Sequence, residues 1–281
     1  MKQDKQKQVE DAYERGLALE KSGNFAAAAA AYYEVLALDK EDCAGVTVRL
    51  AAMGLGAVPK TAPPAYIGAL FDQYADVFDM ILVDSLGYNV PNLLCERISA
   101  HYPGRYFKNL LDLGCGTGLV GEAFIALADK KTGVDLSQNM VEIAHEREIY
   151  HRLFTGDISR FLREKSRQQQ WDLIIAADVL PYIGDLHEFF SLVSRALAKN
   201  GVFAFSSENM EKIKPHAGQQ GAVNKAEDFT IGPHQRFAHN PAYIDRIIDK
   251  AGLKTKYYSD IIVRQEQGEP VSGQIFLTEK L

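Results

Sequence analysis

The apolar positions of the chain follow helical spacing in its first part and form short runs later. Over positions 9–38, apolar residues recur every three to four places in two blocks, which predicts two helices. Ser22, Gly23 and Asn24 separate the blocks, and a glycine stop followed by an asparagine cap predicts an antiparallel helix pair. A third helix is expected over about 41–53.

Small and large residues are spaced in this helix pair so that the two helices can approach closely. The positions concerned are Gly16, Leu19, Gly23, Phe25, Ala28, Tyr32 and Leu36. Their spacing resembles one unit of the tetratricopeptide repeat (TPR), although Arg15 and Lys40 depart from that pattern. Because about three repeats are needed for a binding solenoid, we expect a small TPR-like module that packs on its neighbour or on a second subunit. A groove that docks a protein partner is the alternative.

The stretch 54–64 is expected to form a linker, because its glycines and a proline pair interrupt helical geometry. We therefore place a domain boundary here, with an all-α module over 1–60 and a second domain over 61–281. Two helices are predicted after the linker, over 66–86, where a break is allowed, and over 90–101.

Short apolar runs alternate with helix-length amphipathic segments through most of the remaining chain. This alternation is typical of a doubly wound α/β fold with a mostly parallel sheet. A late helix is expected to begin after Asn240, with Pro241 in its first turn, and to end at Gly252. The last two runs are expected to form a hairpin across 265–269. The seven runs predicted as strands cover 109–113, 131–135, 151–154, 171–176, 201–206, 254–263 and 271–278.

A glycine-rich turn directly after the first run carries the strongest chemical signal. Gly114, Gly116 and Gly118 lead into a helix, and such glycines let a ligand approach bare backbone. Dinucleotide sites use a similar turn, so the neighbouring residues must distinguish the ligand. Asp112 precedes the turn, and its carboxylate is expected to repel a pyrophosphate and to attract a cation.

Two further carboxylates follow the next two predicted strands. Asp135 ends the second strand, where an acidic side chain can accept hydrogen bonds from both hydroxyls of a ribose. Asp157 follows the third strand, where a carboxylate or a backbone amide can contact an adenine. Each of these carboxylates, like Asp112, can instead serve only as a local cap.

From about position 66 to 281 the chain resembles the class I S-adenosylmethionine (SAM)-dependent methyltransferases. The resemblance rests on the segments 112–118, 133–137, 156–157 and 171–178. It implies a Rossmann-like sheet, SAM as cofactor and S-adenosylhomocysteine as product. In combination with the N-terminal helices, the chain resembles the TPR-containing methyltransferases. The resemblance assigns to the cofactor Tyr74, Asp112, Gly114, Cys115, Gly116, Gly118, Asp135, Leu136, Met140, Gly156, Asp157, Ile158 and Ala177.

The segment 71–79 looks like the helix that folds over the cofactor in small-molecule members of this family. Tyr74 and Phe78 lie one helical turn apart, so they are expected to share a face. We predict that Tyr74 covers the cofactor and that Phe78 contacts the substrate. A pair of core residues is the alternative.

Methyl transfer from a sulfonium is an in-line displacement, and a general base is needed only if the acceptor must lose a proton. Candidates lie at the carboxyl ends of the strands, where open α/β sheets bind ligands. After the fourth and fifth strands these are Asp178, Tyr182, His187, Ser207 and Glu208. Any of them can be structural.

The polar segment 206–240 is long for a connection and is expected to form a substrate lid. Its end alternates enough for a short hairpin, in which His234 and His239 are candidate bases and Arg236 can pair with an acidic substrate group. Solvated loop residues are the alternative reading. His216, His234 and His239 match no standard ligand spacing, so we expect no metal site.

Composition and charge indicate which partners and which compartment to expect. Lys and Arg total 31 against 37 Asp and Glu, a net charge of −6, which disfavours nucleic-acid binding. The stretch 177–182 also lacks the Pro-Pro-aromatic run that is common in methyltransferases acting on amide or nucleobase nitrogens, which further disfavours nucleic-acid methylation. Three separated cysteines, a polar N-terminus and no apolar run of about 18 residues favour a soluble, cytoplasmic protein without a membrane span.

Three functions agree with these observations. The first is an enzyme that moves the SAM methyl group to oxygen, nitrogen or carbon of a small molecule. In the second, the N-terminal helices dock a protein or carrier that holds the acceptor. In the third, the domain binds SAM without catalysis, because binding and chemistry use different residues.

Overall fold

Three helices form the first part of the computed structural model, which describes residues 2–165, 169–213 and 227–281. They are α1 (Lys2–Lys21), α2 (Phe25–Leu38) and α3 (Val46–Ala52). Gly23 adopts a φ of 78° between α1 and α2, and the Asn24 side chain accepts a hydrogen bond from the Ala27 N–H. The predicted helix pair and its cap are thus confirmed.

The third helix is shorter than expected because Asp42 starts it late. The Asp42 carboxylate accepts hydrogen bonds from the N–H groups of Val46 and Thr47, at 2.7 and 2.9 Å. The seam between α1 and α2 is tight, since a Cβ added to Gly16 would lie 2.4 Å from the Tyr32 ring. This packing agrees with a helix hairpin, while the identification of the hairpin as a TPR unit stays a prediction.

The linker is hydrogen-bonded to the second part of the chain. Ala62 N–H donates to the Tyr182 carbonyl at 2.9 Å, and the Lys60 carbonyl accepts from Gly184 and Asp185, each at 2.9 Å. The helix α3 packs next to it: Val48 and Ala51 share an apolar cluster with Ile231 and Phe237. The boundary at position 60 remains a prediction, and the module lies directly against the predicted lid hairpin.

Broken helices lead from the linker to the sheet. They are α4 (Pro64–Tyr74), a 3₁₀ turn (Ala75–Val77), a π-helical turn (Met80–Ser85) and α5 (Val90–His101). The expected break within 66–86 is therefore present. Because it falls directly after Tyr74, Tyr74 and Phe78 do not lie on one continuous helix face.

A nine-stranded sheet with helices on both faces forms the core of the described residues. Its strands are β1 (Phe107–Leu113), β2 (Ala128–Asp135), β3 (Arg152–Thr155), β4 (Trp171–Ala176), β5 (Leu197–Asn209), β6 (Phe229–Ile231), β7 (Phe237–His239), β8 (Leu253–Glu266) and β9 (Glu269–Lys280). The remaining helices are α6 (Leu119–Ala123), α7 (Gln138–Glu146), α8 (Ile158–Lys165), α9 (His187–Ala196) and α10 (Pro241–Lys250).

The strand order is β3-β2-β1-β4-β5, all parallel, and β9 then pairs antiparallel with β5 and with β8. The sheet has nine strands instead of the seven expected, because the predicted lid hairpin adds β6 and β7. The strand β7 joins β5 at Glu208 and Asn209, beyond the pairing of β5 with β4, which ends at Phe205. The doubly wound, mostly parallel α/β fold is confirmed, as is the late hairpin β8–β9.

Two apolar layers hold the sheet between its helices. One contains Trp171, Phe190 and Phe205 under α8, α9 and α10, and the other contains Leu94 and Phe107 under α5. Of the helices in the described ranges, none is both long and apolar enough to cross a membrane.

Candidate active site

The glycine turn presents bare backbone at the carboxyl end of β1. Gly114 has a φ of 71°, and a Cβ at this position would lie 2.5 Å from Cγ2 of Val179. Gly116 has a φ of 51°, and its N–H donates to Oδ2 of Asp135 at 2.9 Å. Side chains at these two positions would strain the backbone or close the turn. The turn is therefore shaped for a ligand that lies against the main chain.

Asp112 lies beneath this turn and is fully buried. Its Oδ2 accepts a hydrogen bond from the Tyr150 hydroxyl at 2.5 Å, while Oδ1 has no partner among the described residues. Burial raises the pKa of Asp112 to about 7; the Tyr150 hydrogen bond opposes this shift and the charge of Asp135 adds to it. The unpartnered Oδ1 fits a nearby cationic ligand, although Asp112 does not line the cavity described below.

Asp135 ends β2 and faces the same turn. Its two carboxylate oxygens accept hydrogen bonds from the N–H groups of Gly116 and Ser137, each at 2.9 Å. Burial raises its pKa, and these two hydrogen bonds work in the opposite direction. Asp157, after β3, accepts from the Arg160 N–H at 2.7 Å and so caps α8 as well.

One cavity of about 530 Å³ extends from the glycine turn to the linker. We call it the main cavity. The residues assigned above to the cofactor that line it are Gly114, Cys115, Gly116, Asp135, Leu136, Met140, Asp157, Ile158 and Ala177. Tyr74, Asp112, Gly118 and Gly156 do not line it. The residues present thus fit an adenosyl ligand with a cationic tail. The glycine turn gives access to the backbone, carboxylates stand at the strand ends, and Oδ1 of Asp112 has no hydrogen-bond partner among the described residues.

An aromatic cover closes the main cavity over the turn. Phe71 and Phe78 both line it and meet edge to face, with ring centroids 5.8 Å apart. Two aspartates anchor this cover: Asp72 accepts from the Ser137 hydroxyl at 2.6 Å, and Asp79 accepts from the Thr117 hydroxyl at 2.6 Å.

The predicted cover residue Tyr74 lies elsewhere. It is 44% exposed, because the helix breaks after it and its ring turns away from the main cavity. Phe71 takes the position inside. The aspartates at positions 72 and 79 were a usable sequence signal for the anchors of this cover. The prediction relied instead on the spacing of the aromatic residues.

The other end of the main cavity carries a buried polar cluster. Arg236 donates to Asp178 at 2.5 Å, to the Tyr182 hydroxyl at 2.8 Å and to Glu208 at 2.7 Å. Its guanidinium also lies over the Tyr182 ring, 5.0 Å from the centroid. Burial raises the pKa of Tyr182 to about 12, with Arg236 opposing the shift. Asp178, Tyr182 and Arg236 line the cavity, and we call them the polar end.

Glu208 and His234 belong to an ion-pair chain behind the polar end. Glu208 also accepts from Arg264 at 2.9 Å, and Arg264 pairs in turn with Glu266, which lies 3.0 Å from Nδ1 of His234. Burial acts to raise the pKa of Glu266, but His234 and Arg264 outweigh it and lower this pKa to about 2. Neither Glu208 nor His234 lines the main cavity. Glu208 contacts Arg236 directly, whereas His234 is linked to it only through Glu266, Arg264 and Glu208.

The two remaining histidine candidates differ in access. His239 is fully buried, its Nε2 donates to the Ile183 carbonyl at 2.8 Å, and its Nδ1 lies 2.9 Å from the Ser207 hydroxyl. Burial lowers the pKa of His239 to about 4, so it stays neutral and does not reach the cavity. His187 does line the cavity and is held by Asp185, with Nδ1 2.8 Å from Oδ1.

Several lining residues were missed from the sequence. They include Leu82, Pro91 and Tyr88, which lie in or after the broken helices. Tyr88 is 6% exposed, and burial, with the charge of Asp178, raises its pKa. Its sequence neighbourhood carries no motif, because its position depends on the π-helical turn before it.

No cluster of three metal-binding side chains occurs within residues 2–165, 169–213 and 227–281. His216, and with it the centre of the predicted lid over 214–226, lies outside the described residues.

Comparison with known proteins adds a family-level finding. A family model described as a methyltransferase domain matches residues 111–203. The chain is 28% identical over 191 residues to a ubiquinone biosynthesis O-methyltransferase of Idiomarina loihiensis, covering 65% of this chain and 74% of the relative. It is 31% identical over 105 residues to a malonyl-[acyl-carrier protein] O-methyltransferase of Halalkalibacterium halodurans, covering 36% of this chain and 39% of that relative.

A solved structure supports the fold. An S-adenosylmethionine-dependent methyltransferase from Clostridium acetobutylicum superposes with a TM-score of 0.54 at 20% identity, covering 75% of this chain and 99% of that one. The matched family residues include the glycine turn and Ala177 and Asp178 directly after β4, which line the main cavity.

Proposed function

Since the matched methyltransferase domain and the methyltransferase relatives indicate a SAM-dependent methyltransferase, we propose that the chain is a class I member that transfers the methyl group to a small-molecule acceptor held at the polar end of the main cavity. The observation that carries this proposal is the continuity of the cavity. The glycine turn and Asp135 lie at one end of the same 530 Å³ space that has Asp178 and Arg236 at the other. Cofactor and acceptor can thus meet without a large rearrangement.

We assign the cofactor to the half of the cavity formed by the strand ends. There the glycine turn would lie against the methionine part, Asp135 would accept hydrogen bonds from the ribose hydroxyls, and Asp157 with Ile158 would border the adenine. When bound, the cofactor supplies an electrophilic methyl group on a cationic sulfur. The buried carboxylates at Asp112 and Asp135 favour that positive charge, because opposite charges attract strongly where water is excluded.

The protein contributes to the transfer by aligning the acceptor with the methyl group and by excluding water. Phe71, Phe78 and Leu82 cover the cavity with apolar surface, and Phe71 also meets the Tyr182 ring edge to face at 5.5 Å. An in-line displacement gains most from such positioning and from the exclusion of water.

The acceptor is proposed to be largely apolar, with one polar group at Asp178. The carboxylate of Asp178 is held by Arg236 and lines the cavity, so it can accept a hydrogen bond from an acceptor hydroxyl or amine. If the acceptor must lose a proton, Asp178 is the base that the geometry favours.

The charges at the polar end disfavour an acidic acceptor. Arg236 is already shared by Asp178 and Glu208, so its positive charge is compensated before any substrate enters. A carboxylate brought to this point would face Asp178 with no free cation among the described lining residues of the polar end. We therefore favour acceptors with a neutral hydroxyl or amine group. The sequence-based prediction that Arg236 pairs with an acidic substrate group is less favoured.

A methyl-transfer screen tests this proposal. Purified protein is incubated with SAM labelled on the methyl group and with matched panels of phenols, aliphatic amines and carboxylic acids. We expect label in neutral acceptors, and about a 100-fold lower kcat in Asp178→Asn with an unchanged kcat in the exposed control Asp249→Asn. Transfer only to carboxylic acids, or full activity of Asp178→Asn, would overturn the assignment.

A carrier-bound acceptor is the second candidate. One relative is named for a malonyl-[acyl-carrier protein] substrate, and α3 of the N-terminal module packs on Ile231 and Phe237, beside Arg236. The same screen decides between the two once acyl groups bound to an acyl-carrier protein are added as a further panel. For a carrier-bound acceptor we expect label in that panel and none in the free acceptors.

A further inference from the structure

A second cavity, of about 210 Å³, lies between α8 and the strands β2, β3 and β4. Its polar side chains are Thr132, Arg152, Lys165, Gln169 and Trp171. In the described part of the chain it shares no lining residue with the main cavity. We call it the tryptophan cavity.

Hydrogen-bond donors dominate the lining of the tryptophan cavity. Arg152, Lys165 and the indole of Trp171 can only donate, and Thr132 and Gln169 can donate as well. No carboxylate lines it among the residues that the structure describes. The chain has a net charge of −6, so two cations around one small cavity make this site positive in an otherwise acidic protein.

The indole N–H of Trp171 is unsatisfied. The side chain is 1% exposed, and its Nε1 has no hydrogen-bond partner in the described structure. A buried donor without a partner is costly, and native proteins usually satisfy such groups with an ordered water or a bound ion. The orphaned donor thus points to a ligand that supplies an acceptor.

We propose that the tryptophan cavity binds a small oxyanion, a phosphate or carboxylate group of a metabolite. Arg152 and Lys165 would neutralise its charge, and the Trp171 N–H would fix its orientation. The rings of Phe154 and Phe161 form the apolar side, and the Lys165 ammonium lies 5.9 Å from the Phe154 centroid. This site is independent of the proposed methyl acceptor.

The chain reports on this site directly, because Trp171 is its single tryptophan. Intrinsic fluorescence of the full chain is measured during titration with inorganic phosphate, and with sodium chloride at the same ionic strength. We expect a saturable change with phosphate and none with chloride. Parallel titrations with an organic phosphate and with acetate distinguish a phosphate source from a carboxylate source.

Two variants assign the signal to the cavity. Lys165→Gln is expected to weaken phosphate binding about tenfold, the loss of one charge-assisted contact. Lys254→Gln, an exposed lysine on β8, is the matched control and should bind as the parent does. Trp171→Phe keeps an aromatic ring and removes the donor, so calorimetry should show weaker phosphate binding there too. Titration with S-adenosylhomocysteine confirms that each variant is folded.

Three results would each overturn the proposal. The first is no saturable signal with any oxyanion, which means that water alone fills the cavity. The second is equal phosphate affinity in Lys165→Gln and Lys254→Gln. The third is competition between phosphate and S-adenosylhomocysteine, which would place the anion in the main cavity.

Discussion

The two halves of the main cavity are built in different ways. The cofactor half uses backbone turns and carboxylates at the ends of consecutive strands, such as Gly114 after β1 and Asp135 after β2. The acceptor half gathers side chains from distant parts of the chain, including Phe71, Tyr182 and Arg236. The cofactor half can be predicted from sequence motifs because its residues follow consecutive strands. The acceptor half depends on the packing of the whole fold.

The largest effect is expected at Arg236, which belongs to the acceptor half. Arg236→Met leaves the partly buried Asp178, 15% exposed, without its ion partner, so we expect the free energy of unfolding to fall by about 3 kcal/mol in urea denaturation. Arg160→Met, at an exposed i,i+4 pair, is the matched control and should leave stability unchanged.

A compensating variant tests the cause. Adding Asp178→Asn to Arg236→Met removes the stranded charge and should recover part of the lost stability. If the double variant is no more stable than the single one, the ion pair is not the reason for the loss.

A pH dependence of stability is expected from His239, behind the same half. Burial lowers its pKa from 6.5 to about 4, so the unfolded chain binds this proton more readily than the folded one. Stability from this group is present above pH 6.5 and is lost as the pH falls toward 4, by up to about 3 kcal/mol.

Thermal or urea unfolding between pH 4.5 and 7 measures this loss. In His239→Gln the dependence over this window should be weaker than in the parent. An identical pH profile of parent and variant would show that His239 is not the neutral, buried group described above.

The cofactor half is tested at Asp135. Asp135→Ala removes the acceptor of the proposed ribose hydroxyls, and we expect about 100-fold weaker binding of S-adenosylhomocysteine by calorimetry. The exposed Asp129 of β2 supplies the control, because Asp129→Ala removes the same charge from the same strand. Equal affinity of both variants would remove Asp135 from the site.

The smallest effect is expected at Phe71 of the aromatic cover, with the exposed Tyr74 as its comparison. Phe71→Ala removes a ring that lines the cavity, so cofactor or acceptor binding should weaken several-fold, as about 1 kcal/mol of apolar contact would give. Tyr74→Ala should bind S-adenosylhomocysteine as the parent does, since Tyr74 is largely exposed. The reverse order of effects would restore the sequence-based assignment of Tyr74.

The fold was largely predictable because its signals are local. The alternation of apolar runs and amphipathic helices gives the parallel sheet, and Asn24 and Asn240 mark helix starts by caps that the structure contains. The hairpin β6–β7 was also expected, but its addition to the sheet was not. That pairing depends on the length of β5, which continues past its pairing with β4 to Asn209.

The candidate site was predictable only in its cofactor half. The glycine turn and the strand-end carboxylates occupy the expected places along the main cavity, although Asp112 lies beneath it. The aromatic cover was misjudged at Tyr74, and the lining of the acceptor half was incomplete at Tyr88, because helix breaks rotate side chains without leaving a sequence signal. Glu208 and His239 are buried outside the main cavity, a placement that polarity alone does not predict.

Calorimetric titration of the purified chain with S-adenosylhomocysteine and with NAD tests the central claim most directly. With the Asp112 carboxylate beneath its glycine turn, the main cavity predicts saturable binding of S-adenosylhomocysteine and no binding of NAD, whose pyrophosphate that carboxylate repels. Binding of NAD, or of neither ligand, would contradict the account of the cofactor half and the methyl transfer that depends on it.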